Sequence, residues 1–414
     1  VVHEFAPFEK NTGGTGRYVH RLVREQVRLG NEVTVLTQHH VPSKPHLSTQ
    51  RYAVEDEIPV VKVNISRFDH PAQLYRRSDT DALFHTLLRE ENFDGVHIHH
   101  FIGLSTSIAE CAVEAGVPFG ITFHDFWPFC VRYHMIDYGR NDYDCARLGY
   151  EPEDCLRCLH QCHFPKEPFH DGTRKFLTGY LKTRLAHFAG IIDEAAFLTS
   201  PSRFLQKIYE ETFHLPEGRI QVEPLGIDLH DAPPDKEEIP WPCFGYLGSI
   251  ESRKGVNLLL DAFRNLDAPL HLWGNDPQAP AFRDFAQTQP NLNYHGPYDA
   301  VTDLAEIFSQ IHICIVPSLS ESFGITARES LAHRIPVIAS NWGGMPEAVI
   351  HGHNGLLFEV GNAAALREAV RYAAGHPEEI RQMIPHTQDH LIPMESHARN
   401  LISLYKDTVG TTSL

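Results

Sequence analysis

Short runs of apolar residues alternate with helical patterns along most of this chain, and that alternation constrains its fold more than any other feature. Residues 314–347, CIVPSLSESFGITARESLAHRIPVIASNWGGMPE, show it best. Residues 311–316 and 336–339 read as buried strands with a helix between them, followed by a Gly-Gly turn. Strands that stay apolar along their whole length belong to parallel sheets covered on both faces. The expected class is therefore α/β, built from β-α-β units.

The same stretch carries chemistry. Its helix is expected to begin at 322–324, with Ser322 as the cap and Gly324 letting a ligand approach the backbone. The amides of Phe323, Gly324 and Ile325 then face outward at the positive end of the helix, where a phosphate is welcome. Glu321 and Glu329 bracket this seat, and an anion site has no use for carboxylates of its own. They suit neutral hydroxyls on the same ligand. A diphosphate flanked by a sugar and a ribose satisfies both halves of the pattern, so the stretch reads as a nucleotide-sugar site.

At 414 residues the chain is too long for one ordinary core, and two domains are expected. A formal charge of −17 argues against a nucleic-acid partner, which needs a basic face. No apolar run reaches membrane-spanning length and no leader pattern is present, so a cytoplasmic setting is expected. The opening VVHEFAPF reads as the end of a first strand, as though the chain were trimmed at its start. Gly13, Gly14 and Gly16 follow where that strand feeds a helix over 19–29, a place for a structural turn or a phosphate-approaching backbone. A polar, Pro-spotted region comes next, and the strand over 118–123 ends in His124-Asp125. Polar residues at the carboxyl end of a parallel strand are where open α/β sheets hold ligands, which favours a functional His124 over a strand-end hydrogen bond.

Cys130, Cys145, Cys155, Cys158 and Cys162 crowd a loop-rich insertion over 126–172. Close thiolates suit structural zinc, with an iron–sulfur cluster as the alternative and reduced thiols packing a long loop as the non-metal reading. The helix that follows mixes Arg174, Lys175, Lys182 and Arg184 with apolar residues. Its basic face suits solvent, with peripheral contact at the inner face of a membrane as the functional alternative. The Pro-rich acidic stretch 223–242 marks a domain boundary near 235. Beyond it Arg253 and Lys254 sit at a strand-to-helix junction able to grip phosphate oxygens, strands and helices alternate (one helix over 280–287), and a last helix over 395–410 can reach back to the first domain.

With these residues assembled, the chain resembles the retaining glycosyltransferases of family 4. The motif Glu321-Ser-Phe-Gly-Ile-Thr-Ala-Arg-Glu329, together with SRKG, PVIASNWGGMPE and HNGLLF, carries the resemblance. It implies a GT-B fold of two Rossmann-like domains with parallel sheets facing an interdomain cleft. Residues 1–235 would bind the acceptor, with helix 395–410 packing back on them, and 236–394 the nucleotide sugar. It also implies roles. Glu321 would touch the donor sugar and Glu329 the ribose. The amides of Phe323, Gly324 and Ile325, with Arg253, Lys254, Gly13 and Gly14, would bind the diphosphate. His124 would lie at the reacting sugar. No metal would be required for catalysis. The donor would be of UDP or GDP type, and the acceptor a hydroxyl-bearing glycan, lipid-linked or small molecule. Arg334 departs from the pattern, standing where Gly is usual. A relative that binds nucleotide sugar without transfer, epimerase-like or a metal-binding scaffold, is the competing reading.

Overall fold

The computed structural model describes residues 1–3, 13–67, 75–137, 143–145, 152–163, 165–166, 168–234, 239–275, 286–299 and 302–411. They divide into two units, one made of Val1–His134, Tyr150–Gly226 and Met394–Leu414, the other of Met135–Gly149 and Ile227–Pro393. The predicted helix over 280–287 and the predicted boundary at 235 fall mainly on residues outside this description.

In the first unit, helix α1 (Gly14–Arg28) precedes strands β1 (Val35–His39), β2 (Thr49–Val54) and β3 (Ile58–Asn64). Helix α2 (Asp81–Glu91), β4 (Val96–Ile98), α3 (Ser107–Glu114) and β5 (Phe119–Thr122) continue the alternation. Helices α4 (Pro152–His163) and α5 (Asp171–Glu194), strand β6 (Phe197–Ser200), α6 (Arg203–Phe213) and β7 (Gln221–Val222) complete it. β1 pairs parallel with β3, and β4, β5, β6 and β7 form a parallel set in that order. Val2 bridges the two sets through parallel pairing with Leu36 and Ile98.

Three features depart from the sequence reading. The region read as polar and Pro-spotted holds β2 and β3; β2 is an exposed antiparallel edge strand without an apolar face, and Pro59 interrupts the run that becomes β3. The cysteine-rich segment is helical over α4 rather than a loop. Arg184, counted with a solvated basic face, is 2% exposed and donates to the carbonyls of Pro128 (3.2 Å) and Trp127 (2.5 Å). Its guanidinium also lies 4.6 Å from the Trp127 ring centre. The last helix, Met394–Thr411, belongs to this unit and meets α1 through Tyr18 Oη and His397 Nε2 at 2.7 Å.

The second unit is a six-stranded parallel sheet. Its strands are β8 (Phe244–Leu247), β9 (Leu270–Trp273), β10 (Leu292–Gly296), β11 (Ile313–Val316), β12 (Val337–Ser340) and β13 (Gly355–Phe358). They lie in the order β10-β9-β8-β11-β12-β13. Helices α7 (Val256–Phe263), α8 (Leu304–Ser309), α9 (Ile325–Ala332), α10 (Ala363–Gly375) and α11 (Pro377–Met383) connect them. Side chains leave each strand alternately up and down, so one sheet feeds two cores. Cys314, Val316, Val337 and Ala339 pack with Phe308, Ala327 and Leu331 on the α8 and α9 side. Ile313, Ile315, Ile338 and Leu356 pack with Leu259, Phe263, Leu366 and Val370 on the α7 and α10 side. Burial on both faces is why the central strands β8, β11 and β12 carry no polar alternation, whereas the edge strand β10, Leu-Asn-Tyr-His-Gly, exposes Asn293 and His295.

Candidate active site

Strand order in the second unit reverses between β8 and β11, and open sheets of this kind hold ligands at such a switch point, beyond the carboxyl ends of the strands. Two loops meet there. The one after β8 turns through Gly255 at φ 74°, where an added Cβ would stand 1.9 Å from the Pro317 carbonyl oxygen at the end of β11. The Leu319 amide donates to the Arg253 carbonyl at 2.9 Å, fixing the second loop against the first. Lys254 Nζ thereby comes to 2.7 Å from Glu321 Oε2. Burial of Glu321 disfavours its charge, but the Lys254 ammonium, with Arg253 and a Ser318 hydrogen bond, outweighs burial and holds the carboxyl below the usual range. Arg253 itself pairs through Nε with Glu251 Oε2 at 2.6 Å.

The second loop ends at α9. Its cap is Gly324 in the left-handed region (φ 84°), not Ser322 as the sequence suggests. Its φ is one that side chains rarely adopt, and a Cβ there would also approach Met345 Sδ to 2.7 Å, so glycine suits this turn. The first bond of the helix runs from the Arg328 amide to the Gly324 carbonyl at 3.2 Å, and the amides before Arg328 have no partner within it. The Gly343-Gly344 turn after β12 closes on the same loop. A Cβ on Gly343 would stand 2.0 Å from the Glu321 carbonyl oxygen, to which the Gly344 amide donates at 3.0 Å.

Arg328 is a structural member that the sequence reading passed over. It is 4% exposed, its guanidinium lies 3.5 Å from the Phe323 ring centre, and it donates to the carbonyls of Phe323 and, at 3.4 Å, Gly344. Burial pushes its pKa down to about 9, with Glu347 and Glu321 opposing, so the cation persists at neutral pH. The available signal was a charged residue inside the predicted helix, on a segment covered by the sheet. Glu329 is 1% exposed, inside α9. Beside it the Cys314 thiol is pushed up to about 12 by burial and by the Glu329 charge, against a Ser330 hydrogen bond.

The remaining predicted residues lie in the first unit. Gly13 caps α1 and Gly14 opens it, so the glycines begin the helix rather than precede it. Among the described residues, and apart from the adjoining chain and helix backbone, no atom lies within 4 Å of where a Gly13 Cβ would stand. His124 is 8% exposed, with Nε2 at 3.0 Å from His99 Nδ1. Burial, reinforced by neighbouring histidines, drives its pKa well below the ordinary value and keeps the imidazole neutral. The neighbouring Asp125 meets other partners. Its Oδ2 faces His100 Nε2 at 2.9 Å, and its Oδ1 accepts the Trp127 amide at 2.9 Å.

Cys155, Cys158 and Cys162 fall at spacings of three and four along α4, on one face of the helix. The Arg132 Nε lies 3.0 Å from Cys158 Sγ, and a Cys158 hydrogen bond, then burial, raise the Cys162 thiol far above its ordinary range. Cys130 contributes to that shift as well, whereas Cys145 belongs to the other unit. Among the described residues, the histidine, cysteine and acidic side chains whose ligand atoms converge as a trio are elsewhere, at His353, His386 and Asp389.

Residues 12–231 match the profile described as Glycosyltransferase Family 4, and residues 242–375 match Glycosyl transferases group 1. The D-inositol 3-phosphate glycosyltransferase of Corynebacterium glutamicum is 31% identical over an alignment covering 99% of this chain and 95% of that protein. An uncharacterized glycosyltransferase of Methanocaldococcus jannaschii is 33% identical, but there the match spans 34% of this chain and 40% of the relative. Sucrose-phosphate synthase from Thermosynechococcus elongatus superposes with a TM-score of 0.72 at 19% identity, covering 99% of this chain and 98% of that one. The fold is thus GT-B, with parallel sheets in two Rossmann-like domains, and the chain belongs to glycosyltransferase family 4.

Proposed function

We propose that this protein is a retaining glycosyltransferase that moves a sugar from a nucleoside-diphosphate sugar of UDP or GDP type to a hydroxyl acceptor. The observation that carries the reading is the Lys254–Glu321 pair at 2.7 Å beside the first amides of α9, which have no partner within the helix. An ammonium and oriented N–H groups beside one another suit a diphosphate, and a carboxylate held ionised beside them suits sugar hydroxyls. Phe323, Gly324 and Ile325 supply the amides, Arg253 and Lys254 the charge, and Glu329 a buried acceptor for the ribose. Gly13 and Gly14 open a second helix at which a phosphate is welcome.

In this scheme the bond from the anomeric carbon to the diphosphate oxygen breaks while the bond to the acceptor oxygen forms on the same face of the sugar. The acceptor's proton passes to the departing phosphate oxygen. Cations and amides fixed before the reaction stabilise the leaving charge without reorganising during it. A neutral His124 acts as a hydrogen-bond partner of the sugar rather than as a cation. Bound zinc or iron–sulfur at the α4 thiols would be structural in this scheme, and elemental analysis of protein purified without added metal tests for it. Peripheral membrane contact would use Phe176, 49% exposed beside Arg174 and Lys175 on α5, and vesicle co-sedimentation tests it.

The direct test is thermal stability with UDP, GDP and ADP, followed by donor hydrolysis across nucleotide sugars with and without inositol 3-phosphate as a trial acceptor. A ligand of the native state must raise its stability, by about 2.7 kcal/mol at a hundred times its dissociation constant. Absence of any shift with all three nucleotides at millimolar concentration overturns the reading. A shift without hydrolysis or transfer supports the competing one, a protein that binds but does not transfer.

A further inference from the structure

Away from the loops of the switch point, two histidines and one carboxylate of the second unit converge. His353 sits in the turn entering β13, and its Nε2 is 2.9 Å from Asp389 Oδ2. His386 closes the short helix Ile384–His386, and its Nδ1 is 3.0 Å from the same oxygen. All three ligand atoms lie within 4.8 Å of one another. Neither backbone platform depends on this contact. The turn is pinned by Asn354, fully buried, whose Oδ1 accepts the Ile350 amide at 2.7 Å and whose Nδ2 donates to Ala348 at 2.9 Å. The other side is pinned by buried Thr387, whose hydroxyl donates to Ile384 at 2.9 Å, and by the Asp389 amide, which donates to His386 at 3.2 Å. Ligands on independently fixed supports are what a metal site requires, because little is left to order when the ion arrives.

We infer that His353, His386 and Asp389 form a binding site for a borderline divalent cation, zinc above all, which staples the turn before β13 to the segment leading out of α11. The chemistry of the donors selects the ion. Two imidazole nitrogens and one carboxylate oxygen suit zinc, cobalt or nickel, whereas magnesium and calcium favour oxygen throughout. The geometry is close to the required one. Metal–ligand distances of about 2.1 Å in a tetrahedron place donor atoms about 3.4 Å apart, so the two histidine–Asp389 pairs, at 2.9 and 3.0 Å, need open by about half an ångström or less. The groove of about 730 Å³ that His353 and His386 line also carries Glu359, Glu368 and Glu379, a negative surround that raises the local concentration of cations. Half-exposed ligands leave the fourth position to water. The site makes no use of the residues assigned to the transfer reaction and stands whether or not that assignment does.

The test is titration of the chelator-stripped full chain with zinc by calorimetry, for the wild type and for His353→Gln, His386→Gln and Asp389→Asn. Each variant should bind one ion per chain fewer than the wild type, or bind that ion at least about tenfold more weakly. Zinc should raise the melting temperature of the wild type and raise it less in each variant. The side chains are at the surface, so the variants should fold, and circular dichroism of the metal-free proteins verifies that they do. Cobalt distinguishes this site from the thiols, because thiolate ligation gives an intense near-ultraviolet band that nitrogen and oxygen ligands lack. Equal stoichiometry and affinity in all four proteins overturns the inference, as does a cobalt complex showing only the thiolate band.

Discussion

Lys254 and Glu321 show how one side chain sets the state of another. Burial alone would raise the Glu321 carboxyl, and the ammonium at 2.7 Å is the leading influence that reverses it. Lys254→Met removes that influence and leaves the burial. The carboxylate then takes up its proton at a higher pH than before, so the acid limb of the kcat/KM profile should move toward neutral pH. At the optimum, kcat/KM should fall about 100-fold, the scale of losing one charge-stabilising group. An unmoved acid limb in the variant's pH–rate profile would detach Glu321 from the reaction. Arg334 gives a second prediction at this scale. It holds φ 63°, a conformation that costs a side-chain-bearing residue about 1–2 kcal/mol, while its guanidinium donates to the carbonyls of His230 at 3.2 Å and Pro385 at 3.3 Å. Glycine removes both the strain and the bonds, whereas alanine removes only the bonds. Arg334→Gly should therefore unfold in urea within about 1 kcal/mol of the wild type, and Arg334→Ala should be the less stable of the two by about 1 kcal/mol.

At the scale of elements, the site depends on loops that lie against one another with no side chain between them. Gly255 and Gly296 both have positive φ, 74° and 87°, but a Cβ on Gly255 would meet a carbonyl oxygen at 1.9 Å and one on Gly296 would meet nothing within 4 Å among the described residues. Gly296→Ala should cost about 1 kcal/mol of backbone strain, and Gly255→Ala about 3 kcal/mol or more, because the backbone of the β11 loop cannot move aside cheaply. Gly255→Ala should also weaken nucleoside-diphosphate binding, and Gly296→Ala should not; urea unfolding and thermal shift read the two effects separately. This dependence on close approach explains which parts of the molecule were legible beforehand. β11 and β12 could be read because burial on both faces leaves unbroken apolar runs, and the approach of two glycines to a loop leaves the Gly343-Gly344 pair in the sequence. β2 could not, since five of its six residues are exposed and it owes its existence to pairing with β3. Helix α4 was hidden by its cysteines, whose spacing suits a ligand-bearing loop as well as one helical face. Arg328 was obscured for a related reason: a buried cation whose partners are carbonyls and an aromatic ring has no complementary charge in the sequence to mark it.

The first unit as a whole carries a liability that its individual residues do not reveal. His97 and His99 on or just beyond β4, and His124 just beyond β5, are buried together, and each has a pKa driven well below its ordinary value, first by burial and then by its charged or chargeable neighbours. His3, Tyr18, Tyr405 and His397 surround them; His397 Nδ1 meets Glu223 at 2.9 Å, and His97 Nδ1 meets Tyr405 Oη at 2.6 Å. In the unfolded chain these three imidazoles regain a pKa near 6.5. Above that value neither state binds the protons and folding is unaffected. Below it the unfolded chain takes up protons that the folded one refuses, so stability falls as pH falls, with a limiting slope of about 1.4 kcal/mol per pH unit for each histidine. Urea unfolding of the protein followed by a probe in the first unit should therefore show a midpoint that declines between pH 7 and 5, with His20 and His187, which burial also holds below the ordinary value, adding to the slope of the three. The slope should drop by up to about 1.4 kcal/mol per pH unit when His99 is replaced by Asn, a neutral side chain of similar polarity. A midpoint flat across that interval would mean that the cluster accepts protons while folded, through water or a rearranged hydrogen-bond network. In the proposed transfer, His124 would then act as a cation rather than as a neutral ring.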